Sequence, residues 1–219
     1  MPKETFIKLK EEKQKQIREA FLREFAIKTY DEASISMVVK QLGIAKGSVY
    51  QYFEDKLDLF MYLVNESVAV KSKYTAVLKR ENYPDFWAYF SDLYEYGFQF
   101  DQENPLNSHF LHNLTQNLNS PSIKHFYNEL LSQVITGFEK LAEYEVENGL
   151  FRSDVPVKTL GFFLYKLGSS IQEQLEISGI INPKESIQKG LPVYFGKKDE
   201  LMQVVADYIK LAKPAFNKN

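Results

Sequence analysis

Residues 34–60 read SISMVVKQLGIAKGSVYQYFEDKLDLF. Ser34 offers a side-chain oxygen to the free N–H groups of a first helical turn, and Ile35, Val38, Val39 and Leu42 then recur at helical spacing. Gly43 follows the last apolar position, where a glycine can take the left-handed conformation that stops a helix, and Ile44 behind it can pack back into the core. A second short helix is expected from about Ala45 to Tyr52, with Val49 and Phe53 inward and Lys46, Ser48, Tyr50, Gln51 and Tyr52 outward. Two helices joined through a glycine-bearing turn form a helix-turn-helix, whose second helix enters the major groove of DNA.

The outward residue types suit that task. Lys46 and Lys56 flank the second helix with ammonium groups fit for phosphate oxygens, which position a protein on DNA without reading sequence. Gly47 removes a side chain where backbone and phosphate would come close. Ser48 and Gln51 can hydrogen-bond base edges, and Tyr50 and Tyr52 can offer rings to thymine methyls or hydroxyls to phosphates. With Ser34 opening the first helix, the expected DNA-binding set is Ser34, Lys46, Gly47, Ser48, Tyr50, Gln51, Tyr52 and Lys56.

The run GIAKGSVYQYFEDKLDLF, with ASI ahead of it, resembles the DNA-binding signature of the tetracycline-repressor (TetR) family of bacterial transcriptional regulators, Gly-Val/Ile-x-Lys-Gly-Ser/Thr-x-Tyr-x-Tyr/His-Phe-x-x-Lys. The likeness extends upstream through IREAFLREFA and TYDEASI, while the rest of the chain is similar only in length, helical character and order. It implies a ligand-responsive regulator, usually a repressor, whose dimer leaves a palindromic operator when a small molecule binds. Two positions depart from the pattern. Ala45 stands where the family commonly has Ser or Thr, so either a phosphate contact or a helix cap is expected to be missing, the cap worth about 0.5–2 kcal/mol if nothing else replaces it. Thr29 stands where many members carry glycine, which leaves open how the preceding helix ends.

Working outward, Ile17, Ala20, Phe21 and Phe25 mark the core stripe of a helix from Glu11 to about Lys28. Phe6, Ile7 and Leu9 ahead of it either pack on this helix, or belong to an arm whose lysines touch the DNA backbone, or to a partly ordered tail. Downstream, Asp55 can cap a long helix from Lys56 to about Lys79, with Leu57, Phe60, Met61, Val64 and Val68 inward. No Gly/Ser/Pro-rich linker separates the two parts, so that helix is expected to be shared between a head, residues 1–55, and a larger helical domain, residues 56–219.

The larger domain contains DFWAYFSDLYEYGFQF, residues 85–100, the most aromatic run of the chain. Phe90, Tyr94 and Phe98, with Phe126, Tyr127 and Phe163 from later helices, read either as simple core or as the lining of an apolar cavity for a small hydrophobic ligand. Further helices are expected from Pro105 to about Leu118, from Ile123 to Glu147 after an Asn119-Ser120-Pro121 break with Ser120 as cap, and from Val157 to about Ile177. The Ile123–Glu147 helix should turn Phe126, Tyr127, Leu130, Leu131, Val134, Phe138 and Leu141 inward. A last amphipathic helix runs from Asp199 to about Pro214. Gly161 and Gly168, one heptad apart, suggest a closely approaching neighbour, and the last two long helices are the expected dimer seam. His109 and His112 could share a metal, but without a nearby carboxylate no metal site is expected.

Composition narrows the alternatives. The 219 residues lack cysteine, which excludes disulfides and thiolate metal sites, and a formal net charge of −2 means that any basic face must come from arrangement rather than excess. Lys3, Lys8, Lys10, Lys13, Lys15 and Lys46 are placed to supply it. No apolar run approaches the roughly 18 residues of a membrane span, so a cytoplasmic location is expected and no membrane partner. No catalytic constellation or phosphate loop stands out, which speaks against an enzyme and against a bound cofactor. The expected fold is all-α: an N-terminal three-helix helix-turn-helix head joined by a shared helix to a C-terminal helical domain for ligand binding and dimerisation. The expected function is a DNA-binding transcriptional regulator, a ligand-responsive repressor acting as a homodimer on double-stranded DNA. The alternative is a DNA-binding regulator controlled by a protein partner.

Overall fold

The computed structural model describes residues 1–114 and 120–218. Eleven helices lie among them: α1 (Glu4–Ile7), α2 (Glu11–Ile27), α3 (Ile35–Leu42), α4 (Lys46–Tyr52), α5 (Lys56–Thr75), α6 (Phe86–Glu103), α7 (Pro105–Leu114), α8 (Lys124–Glu147), α9 (Val157–Ile177), α10 (Pro183–Gln188) and α11 (Lys198–Phe216). The helix end expected near Leu118 and the break at Asn119 lie outside the described residues. The fold is all-α, as the periodicity requires. Two compact units are formed, Met1–Lys73 with Phe100–Lys124 and Lys184–Val193, and Tyr74–Gln99 with His125–Pro183 and Tyr194–Asn219.

In the first unit α2 packs on α3 and α7, and α4 on α1 and α3. Phe60 is its hub, with ring centroids 5.0 Å from Phe25, 5.2 Å from Tyr30 and 5.5 Å from Phe110. The end of α2, which lacks a glycine stop, is closed from a distance. The Asn113 amide of α7 donates to Phe25 O at 2.8 Å and Lys28 O at 2.9 Å, while Thr29 turns the chain by bonding Glu32 through N and Oγ1. On α5 the buried residues are Leu59, Phe60, Leu63, Val64 and Ser67. The expected stripe is therefore rotated: Leu57 and Met61 are half-buried and Val68 is exposed. Burial of a polar position causes the shift, because Ser67 Oγ accepts from Asn107 Nδ2 at 3.0 Å and can stay inside. The helix also ends at Thr75 rather than Lys79, and Arg80–Asn82 form a short 3₁₀ turn.

The segment before α11 is tied to the same unit by two buried groups. Asp101 Oδ1 accepts from Val193 N at 2.9 Å, and His109 Nε2 lies 2.8 Å from Leu191 O. Burial pushes the His109 imidazole below the ordinary histidine value of 6.5, against the opposing pull of the Leu191 carbonyl and Asp101. The folded state thus binds a proton less readily than the unfolded one. Stability from this site is full above the unfolded pKa and declines as pH falls through it toward the lower folded value. Thermal melts should show a midpoint that falls from pH 7.5 to pH 5.5, and His109→Gln should flatten that slope; an unchanged slope would contradict the assignment.

In the second unit Phe86 and Trp87 of α6 meet Phe151, Phe86 meets Phe90, Trp87 also meets Phe216 of α11, and Trp87 Nε1 donates to Asn217 Oδ1 at 2.9 Å. α9 packs on α11. Of the two heptad-spaced glycines, only Gly161 is required by packing within the chain. A Cβ on Gly161 would lie 2.6 Å from the Glu139 Cα, so α8 and α9 touch backbone to backbone there, whereas Gly168 O accepts from the Tyr94 hydroxyl at 3.0 Å. Ser120 differs too: its Oγ donates to Asp31 Oδ2 at 2.5 Å instead of capping a helix, and Pro121–Ile123 form a turn ahead of α8.

The inward face expected for α8 is mostly not inward. Only Tyr127, Ala142 and Glu145 are buried, and Val134 is 42% exposed. Leu130, Val134, Gly137 and Leu141 form one partly or fully exposed stripe at helical spacing. Amphipathicity marked a face that wants cover, and the described residues do not supply it.

Candidate nucleic-acid interface

The turn between α3 and α4 follows from its residues. Ser34 Oγ accepts from Met37 N at 3.3 Å, and Ser34 N donates to Glu24 Oε1 at 2.8 Å, which fixes the start of α3 against α2. Gly43 takes φ 64°, and Gly43 N and Ile44 N donate to Lys40 O and Val39 O at 3.3 and 3.1 Å, closing α3 with the paired bonds of a glycine stop. Val49 and Phe53 are buried, as expected, and hold α4 by one side.

The opposite side of α4 is open. Lys46, Gly47, Tyr50 and Gln51 are exposed, and Ser48 and Tyr52 are half-buried. Ala45 gives the helix no side-chain cap. Gly47 is informative because a Cβ there would meet nothing within 4 Å. Glycine inside a helix costs about 1 kcal/mol against alanine, and packing within the chain does not require one at this position. The sequence-derived residues otherwise fall into two groups. Lys46, Gly47, Ser48, Tyr50 and Gln51 lie together on α4. Ser34 is occupied as a cap, and Tyr52 leans its ring on Phe6, with centroids 5.8 Å apart.

Lys56 has an internal task as well. Its Nζ donates to Ala33 O at 2.6 Å and lies 4.7 Å from the centre of the Tyr30 ring. Burial pushes its ammonium below the ordinary lysine range, with Asp31 and Glu24 pulling the other way. Lys56 therefore ties the start of α5 to the segment between α2 and α3.

Sequence reading missed α1. Phe6 is buried against Tyr52, Phe53 and Tyr62 at the closed end of α4. The available signal was one large aromatic among lysines ahead of the first long helix.

The six candidate ligand residues, all in the second unit, do not share one environment. Phe90 is buried beside Tyr94, centroids 5.2 Å apart, and burial holds the Tyr94 hydroxyl above its ordinary pKa. The Phe98 ring has Lys198 Nζ 5.8 Å from its centre, Tyr127 is buried and Phe126 half-buried. Phe163 is 61% exposed, which removes it from any interior lining.

Comparison with known proteins agrees with the head. The family model "Bacterial regulatory proteins, tetR family" matches residues 17–63. No curated protein matches the chain. Among solved structures, a TetR family transcriptional regulator from Chloroflexus aurantiacus is 27% identical with a TM-score of 0.79, covering 100% of both chains. A transcriptional regulator from Saccharomonospora viridis in complex with choline is 17% identical with a TM-score of 0.61, over 96% of this chain and 100% of that one. The fatty acid degradation regulator FadR from Bacillus halodurans is 20% identical with a TM-score of 0.62, over 94% and 97%. Residues 17–63 thus match the tetR family of bacterial regulatory proteins, and the chain as a whole carries the fold of a TetR family transcriptional regulator.

Proposed function

We propose that the chain is a ligand-responsive repressor that binds a palindromic operator as a homodimer in the cytoplasm. The observation that carries the DNA half is the open face of α4. Lys46 and Gly47 offer contacts to phosphate, and Ser48, Tyr50 and Gln51 reach the base edges, on a helix pinned from behind by Val49 and Phe53. Among the described residues no helix is long and apolar enough to cross a membrane.

The dimer reading rests on α8 and α9. The stripe Leu130, Val134, Gly137 and Leu141 on α8 and the exposed Phe162 and Phe163 on α9 are apolar surfaces for which a second copy of the same unit is the fitting cover. We place the seam on α8 and α9 rather than on the last two long helices, because Gly161, one of the two glycines behind that expectation, packs against Glu139 of its own chain. The ligand reading rests on Tyr94, Phe98, Phe126 and Tyr127, aromatic groups with few polar atoms, and on the variety of regulators that share this fold, one of them solved with choline. A ligand acts by binding the DNA-released form more tightly, and a tenfold loss of operator affinity needs about 1.4 kcal/mol of such coupling.

Selection from a random duplex pool tests the reading. The purified protein should enrich an inverted repeat, and failure to enrich any duplex would sink it. On that site Lys46→Ala should weaken all duplexes alike and reduce the salt slope by about one. Gln51→Ala and Tyr50→Ala should change the preferred sequence instead. Lys56→Ala should also lower the stability of the head, because the bond to Ala33 O is lost.

A further inference from the structure

The last turn of α4 has three carbonyls without an intrahelical partner. Phe53 N takes Val49 O at 2.8 Å and closes the ladder, while Glu54 N turns away to Asp58 Oδ2 at 3.0 Å. Tyr50 O, Gln51 O and Tyr52 O remain, and no left-handed glycine follows to collect them. Each is met from the N-terminus of the chain. Lys3 Nζ donates to Tyr50 O at 3.0 Å, the Thr5 hydroxyl donates to Gln51 O, and Lys3 N donates to Tyr52 O at 2.7 Å.

Packing and charge act at the same point. Phe6 is 1% exposed and fits between Tyr52, Phe53 and Tyr62, with centroids at 5.8, 5.0 and 5.6 Å. The Lys3 ammonium also lies 3.0 Å from Glu54 Oε2, so it places positive charge at the negative end of the helix dipole. A helix of seven residues with no side-chain cap at its start has little stability of its own.

We propose that Lys3, Thr5 and Phe6 are positioning residues for the recognition helix: a clamp built from the N-terminal segment that caps α4 from outside and fixes the direction in which Tyr50 and Gln51 point. The clamp does not require Lys3 to touch DNA, although its effect on discrimination rests on α4 being the DNA-reading helix.

Two substitutions at one position separate the clamp from its charge. Lys3→Ala removes the ammonium and the bond to Tyr50 O. Lys3→Pro removes the same charge and also the N–H that serves Tyr52 O, and proline suits the backbone there, where φ is −72°. In the free protein, amide exchange in α4 should be about fivefold faster in Lys3→Pro than in Lys3→Ala, the worth of one hydrogen bond, with α8 and α9 unaffected. On the selected operator the two variants should share one salt slope, while the ratio of specific to non-specific affinity falls about fivefold further in Lys3→Pro. Phe6→Ala should loosen α4 more than either, and Phe6→Leu should restore most of the loss. Equal exchange and equal discrimination in Lys3→Ala and Lys3→Pro would overturn the clamp. Faster exchange in a protein that selects no duplex would uphold the clamp as a cap and remove the DNA-binding reading instead.

Discussion

Glu145→Ala should lower the stability of the second unit by about 3–5 kcal/mol, the usual result of orphaning one partner of a buried ion pair. Glu145 is 0% exposed and holds Arg80 through both carboxylate oxygens, with Arg80 Nη2 at 2.8 Å from Oε2 and Arg80 Nη1 donating to Tyr83 O at 2.9 Å. The Glu145 backbone carbonyl also accepts from Leu150 N and Phe151 N, so the residue closes the end of α8 while its side chain holds the turn before α6. Substitution leaves a guanidinium inside without its counter-charge. Replacing both partners, Arg80→Met with Glu145→Leu, should recover most of the loss, because desolvating two charges offsets much of what they gain from each other. Trp87 is the only tryptophan and lies in this unit, so its fluorescence during urea denaturation reports the change. A loss below 1 kcal/mol for Glu145→Ala would show that the pair is solvated in solution.

Phe60→Ala should cost the first unit about 3–5 kcal/mol, the range for emptying a fully buried aromatic site. The ring is 1% exposed and is shared by α2, the following segment and α7 through Phe25, Tyr30 and Phe110. Its removal leaves a void that three elements would have to close together. Amide exchange in α2, α5 and α7 is the direct readout, and operator affinity should fall with it, because α2 supports α3 through Glu24 and Ser34. Unchanged exchange in α2 would mean that Phe25 and Phe110 close the gap themselves.

The legible parts of this chain are the local ones. Ser34, Gly43 and the apolar spacing between them specify a cap, a stop and a buried face within a few residues, so α3, its turn and the open face of α4 could be read directly. The face of α5 could not, because it depends on Asn107 of α7 accepting burial of Ser67. The missing glycine at Thr29 likewise finds its answer in Asn113, far along the chain. α8 shows the same limit from the other side: periodicity states that a stripe is apolar and is silent on which partner covers it. Within the candidate site, residue type picked out Lys46, Gly47, Tyr50 and Gln51, which are exposed on α4, whereas Ser34 and Lys56 have their polar atoms engaged within the chain. The capping of α4 by Lys3 leaves little trace in the sequence, since one of its bonds uses a backbone N–H that nearly every residue possesses.

The two bonds from Asn113 to the end of α2 span 85 and 88 residues, which sets an order of events when the chain is made. At about 5–20 residues per second, the helix carrying Phe25 leaves the ribosome roughly 4–18 s before the asparagine that finishes it. Leu191, the anchor of His109, follows 82 residues after that histidine. Until Phe110 has been made, Phe25 and Phe60 lack the ring that covers them, so the nascent head presents aromatic surface and is the segment expected to engage chaperones during synthesis. The part of the molecule translated first is completed only when most of the remainder has been made.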